Sequence, residues 1–97
     1  MIIVSRHDEG INITGHAHYA EPGKDIVCAG ISALVQNLIQ SIEELTTDQI
    51  QYDMSSGKVD IYFGNLSEPA QLLVDSFFVG VGLIADNYPD NVKVTKH

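Results

Sequence analysis

Two residues in this chain carry the chemistry of a covalent catalyst: Cys28, its one cysteine, and His16, twelve positions earlier. A thiol is a strong nucleophile only as the thiolate, and the unpaired N–H groups at a helix N-terminus favour that anion. Cys28 falls in the first turn of a long amphipathic segment, where such a field is available. A histidine able to fold back onto it completes a nucleophile and base pair. The polar connector between them, which contains Gly23, is long enough to let them meet. The chemistry indicated is that of a small cysteine hydrolase with a Cys–His centre. The helix start also presents the backbone N–H groups of Cys28 and Ala29, which are candidates to hold a developing oxyanion.

Each candidate also has a plainer role open to it. A free cysteine is often a small buried hydrophobe, but Cys28 lies at the edge of the apolar stripe, which favours function. His16 fits either the base or a local hydrogen bond at a strand end. Strict alternation from Ile11 and Ile13 puts Gly15 and Ala17 on the buried face and His16 on the other. The pair therefore needs either Gly15 to mark a bulge or a strand end that re-aims His16, or the other face of the sheet to be the relevant one. Asp25 either orients His16 or caps the helix, and the cap is the stronger reading. Ser32 either lines the cleft one turn after Cys28 or bonds back to the preceding turn. His18 reads as a loop histidine. With His16 and Cys28 it would make three zinc ligands, but no second cysteine or clear fourth ligand accompanies them, so no metal or other cofactor is expected. The glycines lack the spacing of a phosphate-cradling loop, and His7 and His97 read as surface residues.

The elements that must position these residues follow from hydrophobic period. Met1 to Val4 is a β-branched run, Arg6 to Gly10 reads as a turn, and Ile11 to Thr14 alternates as a half-buried strand. Ala17 to Lys24, with Tyr19, Pro22 and Gly23, is a mobile loop. Asp25 caps a helix whose buried stripe is Val27, Ile31, Leu34, Val35, Leu38, Ile42 and Leu45, while Glu43 and Glu44 form a solvated face. Gln49 to Met54 and Val59 to Phe63 alternate around the turn Ser55 to Lys58, a second hairpin. Ser67 caps a second helix with Pro69 in its first turn, burying Ala70, Leu73, Val74, Phe77, Val81, Ile84 and Tyr88. Leu72, Phe78, Val79 and Leu83 add apolar surface beside that stripe, which suggests a subunit interface. Pro89 to Asn91 breaks the helix before a short strand, Val92 to Val94. The expected fold is of the α+β class, two helices on a mostly antiparallel sheet in the order β-β-α-β-β-α-β, as one domain over residues 1–97.

Composition sets the surroundings. Hydrophobic residues make up 44% of 97 residues, enough for one core and not for two. A domain of this size has little stability to spare, so a homodimer is expected. A lone cysteine fits a reducing compartment, the first residues lack a signal peptide's basic start, and the apolar runs are interrupted before membrane-spanning length. The expected location is the cytoplasm. Thirteen acidic against five basic residues leave a formal charge of −8, which disfavours binding of nucleic acid and suits a basic protein partner.

The run Gly15-His16-Ala17, Gly23, and Asp25-Ile26-Val27-Cys28-Ala29-Gly30-Ile31-Ser32 resembles the signature of the bacterial ribosomal-processing cysteine protease family, Prp. Length and element order are also similar to that family, although only residues 15 to 32 carry a specific motif. The resemblance implies a cysteine endopeptidase that removes a short N-terminal extension from large-subunit ribosomal protein twenty-seven. It implies His16 as general base and Cys28 as nucleophile, with Asp25, Ser32, Ala29 and Gly15 at supporting or substrate-contacting positions. It further implies a homodimer, and a flexible loop between His16 and Cys28 that orders on substrate. Nothing catalytic is carried over onto residues 18 to 22. Two other classes stay open at this level: a non-catalytic module that binds a ribosomal protein in the same cleft, and a small zinc or redox-sensing protein.

Overall fold

Alternating aliphatic residues start the sheet at its middle. In the computed structural model, which describes residues 1–21 and 23–96, β1 (Ile2–His7) and β2 (Gly10–Thr14) form an antiparallel hairpin. Pro22 and His97 lie outside the described residues. His7 pairs with Gly10, so the turn shrinks to Asp8 and Glu9, and Arg6 and His7 extend the strand instead of leaving it. His7 is accordingly half-buried rather than a free surface residue. The chain continues through α1 (Ile26–Leu45), β3 (Gln51–Ser55), β4 (Lys58–Tyr62), α2 (Glu68–Asn87) and β5 (Val92–Lys96). The strands lie in the order β3-β4-β2-β1-β5. The pairings of β1 with β2, β2 with β4 and β3 with β4 are antiparallel, and that of β5 with β1 is parallel. This is the expected α+β arrangement; the parallel edge is possible because α2 supplies the long crossover such a pairing needs.

The strands put Ile2, Val4, Ile11, Ile13, Ile61 and Val92 on one face, where they join buried residues of both helices in a single core. Burying each such aliphatic side chain contributes about 1.5–3 kcal/mol. The opposite face is polar, with a Ser5–Thr95 hydroxyl bond of 2.7 Å and an Asn12 amide donating to Asp60 at 2.6 Å. The two helices approach closely because Gly80 accepts the Leu34 side chain and Gly30 faces Ile84; a Cβ at either position would stand about 3 Å from its neighbour.

Both helices begin as their cap residues dictate, at Asp25 and Ser67, with Pro69 in the first turn of α2. The buried stripe of α1 is Val27, Ile31, Val35, Leu38, Ile39 and Ile42. Leu34 is only partly covered, and Leu45, expected inside, is 70% exposed. A helix of 20 residues is about 30 Å long and outruns strands of five or six residues, so its last turn has no sheet beneath it. By length and a mean hydropathy of 1.3, both helices would suffice to cross a membrane, which the interrupted apolar runs did not suggest; a stripe of each is instead buried against the sheet. On α2, Leu72, Val79 and Leu83 are exposed, whereas Phe78 is covered by the Arg6 guanidinium 4.7 Å from its ring centre.

Candidate active site

The site is assembled by one carboxylate. Asp25 sits in extended backbone at the N-cap of α1, and its Oδ1 accepts the N–H groups of Val27 and Cys28, both at 3.0 Å. Its Oδ2 accepts from Tyr19 at 3.0 Å and Ala20 at 3.3 Å, so the same group ties the preceding loop to the helix start. The Cys28 N–H is the largest influence holding the Asp25 carboxyl below its ordinary 3.8, against opposing desolvation and with help from Ala20, Tyr19 and Val27. With both oxygens engaged in this way, Asp25 caps the helix and makes no hydrogen bond to His16 among the described residues.

Cys28 lies half-buried in the first turn of α1. Its Sγ accepts a hydrogen bond from the backbone N–H of Ala17 at 3.3 Å. The two N–H groups expected to serve an oxyanion are otherwise occupied: that of Cys28 donates to Asp25 Oδ1, and that of Ala29 to the Asp25 carbonyl at 3.0 Å. A side-chain cap satisfies the orphan donors of a first turn, which is why they are not free here. The backbone donor aimed at the sulfur comes from the loop.

His16 reaches this region because β2 ends at Thr14 and Gly15 turns the chain at φ +92°, so the alternation stops and His16 is re-aimed. A side chain at Gly15 would collide with the Met1 carbonyl oxygen, and the Gly15 N–H donates to the Gly57 carbonyl at 2.9 Å. Ala17 is buried, Gly15 is exposed although strict alternation put it inside, and His16 is exposed with its ring against Gly57 in the turn between β3 and β4.

His16, Cys28 and Ser32 border two adjoining clefts. One, of about 190 Å³, runs between the start of α1 and the β3–β4 turn, with Met54 and Val59 as apolar walls. The other, of about 570 Å³, opens on the loop side beside His18, Asp25, Ala29 and Ser56. No hydrogen bond joins His16 to Cys28 among the described residues; both side chains line the same two clefts. Ser32 lies on the rim, and its hydroxyl accepts from Gln36 at 3.1 Å instead of bonding back to the preceding turn. His18 is exposed at φ +54°, its ring edge-on to His16 at 6.0 Å, and no three His, Cys, Asp or Glu side chains converge to hold a metal among the described residues. A thiol and an imidazole across one cleft, with an N–H on the sulfur, is an arrangement for covalent acyl transfer.

The model of the family described as cysteine protease Prp matches residues 2–93. The chain belongs to the Prp family of cysteine proteases. The ribosomal processing cysteine protease Prp of Bacillus subtilis (strain 168) is 33% identical over 99 residues, covering 92% of this chain and 88% of the relative. That of Staphylococcus aureus (strain Mu50) is 32% identical over 98 residues, covering 94% and 92%. Among solved structures, Prp from S. aureus with a covalently linked product peptide superimposes with a TM-score of 0.90 at 25% identity, covering 99% of this chain and 97% of that one. SMU.848 from Streptococcus mutans gives a TM-score of 0.75 at 32% identity, covering 98% and 90%. The chain is thus a peptide hydrolase of the cysteine class, on a fold that these relatives share.

Three residues in or beside this candidate site make contacts that were not found from the sequence. Gly57 was legible as a turn residue but not as the seat of His16. Ala17 was legible as a core position and as part of the Gly-His-Ala run, but not as the N–H donor to the Cys28 sulfur, and Asn91, whose side chain donates to the Ala17 carbonyl at 2.9 Å, was legible only as part of a helix break. Their parts depend on what the fold brings beside them, 74 residues away in the case of Asn91 and Ala17.

Proposed function

We propose that this protein is a processing endopeptidase that removes the short N-terminal extension of large-subunit ribosomal protein twenty-seven, with Cys28 as nucleophile and His16 as general base. The observation that carries the reading is the shared cleft: Cys28 at the start of α1 and His16, which follows β2 and rests its ring against the β3–β4 turn, border the same space. The names of the relatives, and the covalently linked product peptide in one of them, support a covalent route on a ribosomal substrate.

In the first step His16 takes the Cys28 proton and the sulfur attacks the scissile carbonyl carbon, giving a tetrahedral oxyanion. Collapse expels the amine, which His16 protonates, and leaves a thioester on Cys28. Water, deprotonated by His16, then releases the acid product and the thiol. The proton transfers require His16 and Cys28 to come within hydrogen-bond reach, so substrate binding and ordering of the loop after His16 precede chemistry, which limits stray cleavage. The formal charge of −8 favours encounter with a basic ribosomal protein, and the Met54 and Val59 walls suit an apolar residue near the cut.

The same reading places the protein in the cytoplasm, where a lone thiol stays reduced, and makes it a homodimer through the exposed Leu72, Val79 and Leu83 line of α2. Leu72, Val79 and Leu83 recur at seven- and four-residue steps, a single helical stripe. The test is to incubate the purified protein, beside Cys28→Ala, with the extended ribosomal protein and read both masses. Loss of one defined N-terminal peptide with wild type alone supports the protease and its nucleophile together. Binding without cleavage by either would overturn it in favour of a binding module.

A further inference from the structure

We propose that Asn91 is a positioning residue of the active centre, holding the Ala17 peptide so that its N–H stays aimed at the Cys28 sulfur. This rests on Cys28 being the nucleophile.

The Asn91 side-chain Nδ2 donates to the Ala17 carbonyl at 2.9 Å, and the Ala17 N–H donates to Cys28 Sγ at 3.3 Å. A carbonyl oxygen can only accept, so the amino end of the Asn91 amide must face it. Asn91 is itself a fixed post at the corner between α2 and β5. Its N–H donates to the Tyr88 carbonyl at 3.0 Å, and its own carbonyl accepts from Ile2 at 2.8 Å at the start of β1.

The segment it holds has reason to need holding. Ala17 is 2% exposed, yet the chain turns sharply on either side, with φ +92° at Gly15 and +54° at His18. His18 is the one non-glycine residue with positive φ among the described residues, a conformation that side-chain-bearing residues adopt rarely. On the far side, Asp25 fixes Tyr19 and Ala20, and the Tyr19 ring meets Tyr88 edge-on at 5.2 Å. Asn91 secures the near side, where the donor to sulfur lies. Since Cys28 and Ala29 N–H groups serve the helix cap and first turn, the Ala17 N–H is the backbone donor that stabilises the thiolate once its proton has passed to His16.

The test reads the thiol directly. Cys28 is the sole cysteine, so iodoacetamide alkylation followed by mass across a pH series reports it alone. Asn91→Ala should move that profile to higher pH by about one unit, slow alkylation near neutrality about tenfold, and lower kcat with little change in KM. A purely architectural role would lower the melting temperature and leave the profile in place, so an unmoved profile in folded Asn91→Ala overturns the proposal. If that variant does not fold, ¹⁵N-labelled wild type decides: the Ala17 amide and the Asn91 side-chain amide resonances must both respond to ionisation of Cys28, and indifference of either overturns it. Full-rate cleavage by Cys28→Ala would instead overturn the nucleophile assignment, and with it any catalytic part for Asn91, even with the alkylation profile shifted.

Discussion

The imidazole of His16 rests on Gly57 so closely that a Cβ there would stand 2.7 Å from its Nε2. Gly57 also has φ +73°, so the turn between β3 and β4 needs glycine twice, once for its backbone and once as the floor beneath the ring. Gly57→Ala should cost about 1–2 kcal/mol in backbone strain and push His16 away from the cleft. A displacement of about 1 Å can lower turnover about a hundredfold. Gly57→Asn carries the same Cβ but tolerates positive φ, so it should recover much of the stability and little of the kcat. Thermal melts and steady-state cleavage of a peptide spanning the extension separate the two effects.

Removing the nucleophile and removing the base should differ in degree. Cys28→Ala should lower cleavage by more than about a thousandfold while peptide affinity persists, because no other group supplies the sulfur. His16→Ala should lower kcat about 10²–10⁴-fold, the usual contribution of a positioned base. Normal cleavage by Cys28→Ala or Cys28→Ser, read by mass, would show the assignment to be wrong.

Acid should loosen the site through Asp25. Its carboxyl lies below 3.8 in the folded chain and returns to that value on unfolding, so between the two the unfolded chain binds more protons. Its stabilisation is therefore fully present above the ordinary value and is lost as pH falls through the folded one. Asp25→Asn has a single acceptor oxygen and turns an amino group toward N–H donors from either the loop or the helix. It should melt lower at neutral pH, lose the part of the acid dependence that belongs to Asp25, and slow cleavage. Melting curves through the acidic range check the sign.

The exposed stripe on α2 predicts the assembly. Leu83→Glu should convert a homodimer into a monomer in sedimentation or light scattering, since a charge on that line cannot be buried without a partner. A dimer that survives Leu83→Glu and Val79→Glu together would remove this face from consideration.

Local chemistry made most of the elements legible. Asp25 and Ser67 are caps because a short acceptor before an apolar period satisfies a helix's first N–H groups, whatever the rest of the chain does. The 2- and 3.6-residue periods marked both hairpins and both helices because each puts apolar residues on one face, and a first-turn thiol that follows a Gly-His-Ala run through a polar loop marked the candidate site. Period could not say where a helix outruns its sheet, so Leu45 was expected inside and is exposed, and it did not show that Ile39 is buried.

Tertiary structure alone decided how these pieces meet. The parallel pairing of β1 with β5, the seat of His16 on Gly57, and the Asn91 bond to Ala17 join residues 41 to 90 positions apart. No short-range pattern encodes such neighbours, because they depend on which strand edges and loop ends pack together once the core closes. The sequence by itself determined the elements, the caps and the two residues proposed for the chemistry; the fold decided which backbone N–H reaches the sulfur, because the first turn's own donors were already taken by its cap.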